Sequence, residues 1–495
     1  MSAPSSASGS AATAPGWTPR STLVAVVLAS LAAHLIAGAI VPLSDDEAYY
    51  RLWSLAPAFG YFDHPPMIAW WIWAGRQIAG DSPFSVRLLP AIAAALTSLI
   101  VFDLARLAGL SERVGARAGV WLAATLLIGL GGFLAVPDAP NTVFWVVALW
   151  CAFKARRGHG GWWLAAGAAA GLACLSKYSG LFLAPGIGLW LLLDRDGRRA
   201  LLTPWPWLAA IIAAAVFAPN VAWNAAHHWL TFDKQFGRVR AEHLSLATPL
   251  RFLADQFGLL NPLIALFVGI AIVRRRAWPM LAIAAPFALY LFIHSLHDVV
   301  QGQWPTPLYP LLAISAAAAA EDAAGWLAAL RRAAAPLGLA LSALVLAFVC
   351  APLDGRLPFK DPAAPLRGWD DWAGRIEALR IRAGARWVGA EDYFLPAQLA
   401  AQGAIRAPAV EIIERERATF ETPAERADFT APGLIIGKPS KVSAAALAHC
   451  FASVQPLGEI DRGRTTSSRR YIAFRVAGPL RDIERDGCAP TAVSP

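Results

Sequence analysis

Apolar runs long enough to cross a bilayer fill residues 22–352 and decide what this chain can become. They fall near residues 22–42, 86–108, 118–136, 141–153, 162–176, 180–193, 204–219, 250–273, 278–294, 305–320 and 334–352. A helix needs about 20 apolar residues to cross about 30 Å of hydrocarbon, so several runs are short, yet together they make about eleven transmembrane helices. Within lipid every backbone polar group must be satisfied internally, and a run of this length does so as a helix. Composition agrees: 57% of residues are hydrophobic, 16% are charged and 21 are Trp, where soluble domains carry about 25% charge. Residues 1–20 are rich in Ser, Ala, Pro and Gly without a periodic apolar face, and read as a disordered cytoplasmic leader. The apolar run that follows lacks a small-residue cleavage site, which argues against a cleaved signal peptide.

Basic clusters orient the spans. Arg113 and Arg117, then Lys154, Arg156 and Arg157, then Arg195, Arg198 and Arg199, then Arg274 to Arg276, then Arg331 and Arg332 mark every second connection. They share one side, and the positive-inside rule makes that side cytoplasmic. Much of the net charge of +9 sits in these clusters, so nucleic acid is set aside as a partner. By alternation SDDEAYY, VPDAPN, the long PNVAWNAAHHWLTFDKQFGRVRAEH stretch and HDVVQGQWP lie outside. From about residue 353 charge, Gly and Pro become frequent and the apolar segments shorten, which predicts a soluble mixed α/β domain over 353–495, large enough for its own core. An odd number of spans puts it outside as well. Cys151, Cys174 and Cys350 fall in apolar runs, whereas Cys450 and Cys488 lie in this polar region with their pairing left open.

The outer loops concentrate carboxylates near the bilayer. Asp45, Asp46 and Glu47 follow the first run; the ordinary reading is an acidic helix start, capped by Ser44 or Asp45. The same loop brings Asp63 and His64 before Pro65 and Pro66, then Trp70, Trp71, Trp73 and Arg76, which predicts a short helix at the lipid–water boundary. Asp138 stands between Pro137 and Pro140, where it, like Asn141, could cap the next helix; a carboxylate at that depth is costly and often functional. Lys177 and Tyr178 occupy a further outer connection. A lone Lys there snorkels, but beside Lys234, Arg238 and His243 it suits an anionic phosphate headgroup.

DDEAYY, YFDHPPMIAWW and PDAPNTVFW in this order, with a Lys after the fifth span and a C-terminal domain, resemble the GT-C fold glycosyltransferases. Within that group the chain is most similar to bacterial relatives of the dolichyl-phosphate-mannose protein mannosyltransferases and of the lipid A aminoarabinose transferase, over about residues 22–320. The resemblance implies a GT-C-like membrane domain over 21–352 in a bacterial inner membrane. It implies inverting transfer of a sugar from a polyprenyl-phosphate donor to a lipid, glycan or protein acceptor on the extracytoplasmic face. It aligns Asp46 and Glu47 with the family's Asp-Glu pair, Asp138 with its second-loop acid and Tyr50 with the Tyr after the pair. Tyr49 stands where the aminoarabinose transferase has Arg, and His64 where it has Lys, so groups facing the donor phosphate or sugar have changed.

The expected roles follow from chemistry. A carboxylate at a low-dielectric edge can take the proton of an attacking hydroxyl, which nominates Asp46 as base, with Glu47 and Asp138 as further catalytic acids. Tyr50, Asp63, His64, Lys177, Tyr178, Lys234 and Arg238 are expected to bind substrate, the cations meeting the departing phosphate. Clustered carboxylates could instead hold a divalent cation. A transporter or flippase of a lipid-linked sugar is the rival reading, although it would place ionisable residues within spans; a docking protein is the second. In the C-terminal domain neither DDW (Asp370–Trp372) nor EDYF (Glu391–Phe394) reads as more than surface or core.

Overall fold

The structure, a computed structural model, describes residues 18–237, 244–351, 353, 360–421, 426–463 and 469–488. Most of the expected leader therefore lies outside the described residues. Its last two residues belong to the first helix, Pro19–Ile40: the Thr18 hydroxyl caps it by accepting from Ser21 N, and Pro19 opens the first turn.

Among the described residues five helices are long and apolar enough to cross a membrane: Pro19–Ile40, Pro83–Leu107, Trp205–Ala226, Trp278–Ser295 and Gly325–Cys350. Shorter apolar helices, including Trp162–Ser176 and Thr306–Ala319, pack among them. The run at 250–273 differs from the single span its hydropathy predicts. It forms two helices, Ala247–Leu259 and Pro262–Arg274, meeting at 112°. Asn261 makes the break with φ of 71°; its side chain accepts from Leu263 N and donates to Ala334 O at 2.7 Å, while Pro262 can start a helix but not continue one. Helices meet most closely at glycine: a Cβ on Gly338 would lie 1.9 Å from Ala124 O, and one on Gly75 2.1 Å from Ser85 O. In lipid, where apolar burial barely drives helices together, such backbone approach supplies the packing.

The connection after the first helix carries two short helices, Asp45–Trp53 and Met67–Ala79. Pro66 sits at the start of the second, as the Pro pair predicts. Between them the chain is tied down by side chains from afar. Asn220 donates to Phe59 O (2.7 Å), Thr231 to Tyr61 O (2.6 Å) and Gln235 to Asp63 O (2.6 Å). A loop whose carbonyls are engaged this way holds its side chains in fixed positions.

The C-terminal domain is built on strands β1 (Trp387–Ala390), β2 (Ala409–Glu411), β3 (Gly433–Gly437), β4 (Phe451–Arg462) and β5 (Arg469–Pro479), in the order β2-β1-β3-β5-β4. β1 runs parallel to β2 and β3, with Gly389 opposite Val410 and Ile435; β5 runs antiparallel to β3 and β4. Adjacent residues of β1 face opposite sides, as strand geometry requires. Trp387 packs with Val410, Phe429 and Phe451 on one face, and Val388 with Trp369, Trp372 and Tyr471 on the other. The pairing left open by the sequence is settled, with Cys450 bonded to Cys488. The helix Phe394–Ala401 carries this domain onto the first loop, burying Ala397 among Tyr49, Tyr50 and Trp53.

Candidate active site

The helix Asp45–Trp53 sorts the three loop acids by direction, since successive residues point about 100° apart. Ser44 caps it in a reciprocal box, its hydroxyl accepting from Glu47 N and the Glu47 carboxylate accepting from Ser44 N at 2.9 Å. Glu47 points inward and is fully buried. Arg87 Nε donates to Glu47 Oε1 at 2.7 Å and Arg87 Nη2 to Oε2 at 2.6 Å, and Ala135 N at 3.0 Å, with Ser44 N, brings the donors to four. The other Arg87 N–H groups go to the carbonyls of Gly38, Val41 and Pro42. Burial pushes the Glu47 carboxyl up, but the Arg87 guanidinium together with the Ala135 and Ser44 N–H groups holds the group below its ordinary value. Both Glu47 oxygens, expected to take part in catalysis, are occupied by these donors, and the side chain ties the first loop to the helix Pro83–Leu107. The sequence held one signal for its partner, a lone Arg inside VRLLPAIAAAL, which at that depth has to be paired.

Asp46, one step earlier, faces open space. It lines two adjoining cavities, each shared with Asp138. One, of about 410 Å³, is mainly apolar, with Ala94, Leu127, Ile128 and Leu259 in its wall. The other, of about 140 Å³, is polar, and adds Tyr50, Asp63, His64, Lys177 and Tyr393. Six expected residues therefore share one chamber: Asp46, Tyr50, Asp63, His64, Asp138 and Lys177. Water reaches Asp46, yet the surrounding protein disfavours its charge. Burial raises its carboxyl above the ordinary value, the Tyr393 hydrogen bond opposes that, and the charges of Asp45, Asp63 and Glu47 add to the rise.

Asp138 caps nothing with its side chain. Both its oxygens accept from Lys177 Nζ, at 2.7 and 2.9 Å, with Asp138 buried and Lys177 nearly so. Lys177 is thus neither snorkelling nor a bare phosphate ligand. Tyr178 turns the other way, donating to Asn220 at 3.1 Å, and lines a neighbouring aromatic groove with Phe182, Phe287, Tyr290 and Trp304. Lys234 lies over the Phe62 ring, 5.3 Å from its centroid, and lines neither Asp46 cavity. Arg238 lies outside the described residues. Among the described residues no group of three His, Cys, Asp or Glu side chains is placed to hold a metal ion.

Further residues of the chamber had no role assigned from sequence. Gln301, Gln303 and Trp304 come from HDVVQGQWP, where the amides carry no periodic signal. Tyr393 comes from EDYF, which read as surface or core; its hydroxyl donates to Asp46 Oδ1 at 3.1 Å. Arg417, behind the chamber wall, donates to Asp63 Oδ2 at 2.5 Å.

A bundle of apolar helices, an acid-bearing first loop and a C-terminal mixed sheet set over that loop define a membrane protein of the GT-C fold. The resemblance read from the loops holds. Residues 63–223 match the family described as dolichyl-phosphate-mannose-protein mannosyltransferase. The chain is 31% identical over 227 residues to the lipid A galacturonosyltransferase RgtD of Rhizobium johnstonii, covering 44% of this chain and 46% of that protein. It is 29% identical over 242 residues to the undecaprenyl phosphate-alpha-4-amino-4-deoxy-L-arabinose arabinosyl transferase of Pseudomonas aeruginosa, covering 41% of this chain and 43% of that one. The chain thus spans under half the length of these curated relatives. The structure of ArnT from Cupriavidus metallidurans bound to undecaprenyl phosphate superposes with a TM-score of 0.66 at 17% identity, over 93% of this chain and 99% of that one.

Proposed function

We propose that this protein is an inverting glycosyltransferase of the bacterial inner membrane that moves a sugar from a polyprenyl-phosphate carrier to lipid A. In this reading about eleven spans form a catalytic domain over 21–352, and the domain over 353–495 stands on the extracytoplasmic side with the loop acids. One observation carries the reading: Asp46 lines both an apolar cavity fit for lipid and a polar chamber fit for a sugar and a phosphate. The relatives named for lipid A and for an undecaprenyl-phosphate donor support the choice of acceptor and carrier.

Asp46 takes the proton of the acceptor hydroxyl as its oxygen bonds to the anomeric carbon, and the bond from that carbon to the carrier phosphate breaks. A base with a raised carboxyl value works well near neutral pH. Lys177 faces the charge growing on the departing phosphate, while Asp138 fixes its ammonium. Tyr50, Asp63 and His64 complete the wall around the sugar, and Glu47 holds the loop in register through Arg87.

The test compares membranes holding wild type or Asp46→Asn, given a radiolabelled polyprenyl-phosphate sugar pool and lipid A. Label enters lipid A only with wild type. Equal transfer by Asp46→Asn removes the base from this reading, and label crossing the bilayer without a new glycosidic bond makes the protein a transporter of lipid-linked sugar.

A further inference from the structure

Three acids of the first loop, Asp45, Asp46 and Asp63, receive a donor from the C-terminal domain, whereas Glu47 is held by Arg87 and Asp81 by Arg51 and Arg76. Gln398 donates to Asp45 at 3.0 Å, Tyr393 to Asp46 at 3.1 Å and Arg417 to Asp63 at 2.5 Å. Of the three, only Tyr393 reaches the acid assigned to the chemistry, and it lines the polar chamber beside Asp46. Its place is well fixed. Tyr393 immediately precedes the helix Phe394–Ala401, whose Ala397 is buried in the core of the first loop. Its ring lies 4.6 Å from that of Tyr49 and 4.7 Å from the Arg417 guanidinium. Tyr49 and Arg417 converge in turn on Asp63 Oδ2, so ring, guanidinium and loop form one connected unit.

We propose that Tyr393 is a positioning residue for Asp46: by donating to Oδ1 it aims the carboxylate across the chamber and keeps it ionised, so that docking of the C-terminal domain completes the active site. The inference rests on Asp46 as the base. Among the described residues the hydrogen bond engages Oδ1 and none engages Oδ2, which leaves one oxygen to receive a proton. The groups around Asp46 make such a donor necessary. Asp45, Glu47 and Tyr50 share its helix, Asp63 and His64 come from the rest of the loop, and Asp138 with Lys177 closes the far side. Lys177 is held by Asp138, Arg417 by Asp63 and Arg87 by Glu47, so the cations nearby are committed to other acids and the Tyr393 hydroxyl is the donor that Asp46 receives.

The experiment uses the full chain in detergent and two variants at one position. Tyr393→Phe keeps the ring and removes the donor; 3-fluorotyrosine at 393 keeps the ring and strengthens the donor. Dicyclohexylcarbodiimide, which modifies protonated carboxyls, is the probe: labelling of the Asp46 peptide is followed by mass spectrometry against pH, with Asp46→Asn as the blank. Losing a donor to a carboxylate disfavours its charged form, so Tyr393→Phe moves the labelling midpoint and the acid limb of the transfer rate up by about one pH unit, and fluorotyrosine moves both down. In Tyr393→Phe kcat falls about tenfold at the acid end and recovers as pH rises, with the donor KM unchanged. A wild-type midpoint in folded Tyr393→Phe overturns the proposal even where activity has fallen, because a packing role alone moves no midpoint. Transfer by Asp46→Asn overturns it from the other side, since the carboxylate being aimed then does no chemistry; an inactive Asp46→Asn with an unmoved midpoint sinks this inference and leaves the base assignment standing.

Discussion

Replacing Arg87 separates the two neighbouring acids of the first loop more sharply than any change at the acids themselves. The Arg87 and Glu47 side chains are 1% and 0% exposed and share two hydrogen bonds of 2.7 and 2.6 Å. Arg87→Ala leaves Glu47 buried with no counter-charge and strips a donor from the carbonyls of Gly38, Val41 and Pro42. Removing one partner of such a pair costs about 3–5 kcal/mol. Glu47→Gln keeps one acceptor oxygen, so it serves either Ala135 N or Ser44 N and sets an amide NH2 against the other; with Arg87 left buried and uncompensated, it loses about 3–5 kcal/mol as well. Because the residues act as one unit, the double variant loses less than the sum, by about 0.5–3 kcal/mol. Equilibrium unfolding in mixed detergent micelles, run on wild type, both single variants and the double, measures all three quantities. An Arg87→Ala protein as stable as wild type, or strictly additive losses, would falsify the assignment of Glu47 to the framework. So would a Glu47→Gln protein of full stability whose transfer is as dead as that of Asp46→Asn.

Three other outcomes follow from the geometry. Lys177→Met raises the donor KM about tenfold, the scale of one charge-assisted hydrogen bond, and unchanged donor dependence in a transfer assay confines Lys177 to holding Asp138. Asp392 is pushed up to about 7, first by burial and then by the charge of Glu391; folding therefore binds a proton that the unfolded chain releases, and stability falls as pH rises from about 4 to 7. Thermal unfolding at pH 5 and 8 shows this as a gain for Asp392→Asn over wild type that is larger at pH 8, and an equal gain at both refutes it. Cys450→Ser opens a loop closed over a sequence separation of 38 and lowers the stability of the C-terminal domain by about 3–4 kcal/mol, read as a lower midpoint in denaturant; a midpoint matching wild type shows that the bond adds nothing.

The legible part of the site was the part written locally. DDEAYY and PDAP announced acids beside apolar runs, and Asp46 and Asp138 do share a chamber. EDYF announced nothing, because what makes Tyr393 matter is a contact with a residue 347 positions away. DDE also could not say which of its acids faces the chamber. That depends on a helix turn directing Glu47 at Arg87 and Asp46 at the cavity, and on an Arg 40 residues along the chain. Lys177 read as snorkelling or phosphate-binding, and Asp138, 39 residues away, made it half of a pair. The straight span expected at 250–273 failed at Asn261 because hydropathy ignores φ.

By itself the sequence determined that this chain is a membrane protein of many helices with acids gathered in its loops. It could do so because transfer into hydrocarbon is a sum over neighbouring residues, and backbone hydrogen bonding there closes within each segment. Which acid is tied up in an ion pair, which lines the chamber, and that the C-terminal domain reaches into it were decided only in three dimensions. Charge pairing and hydrogen bonding act over about 3 Å between side chains brought together by packing, and no periodicity along the chain records that approach.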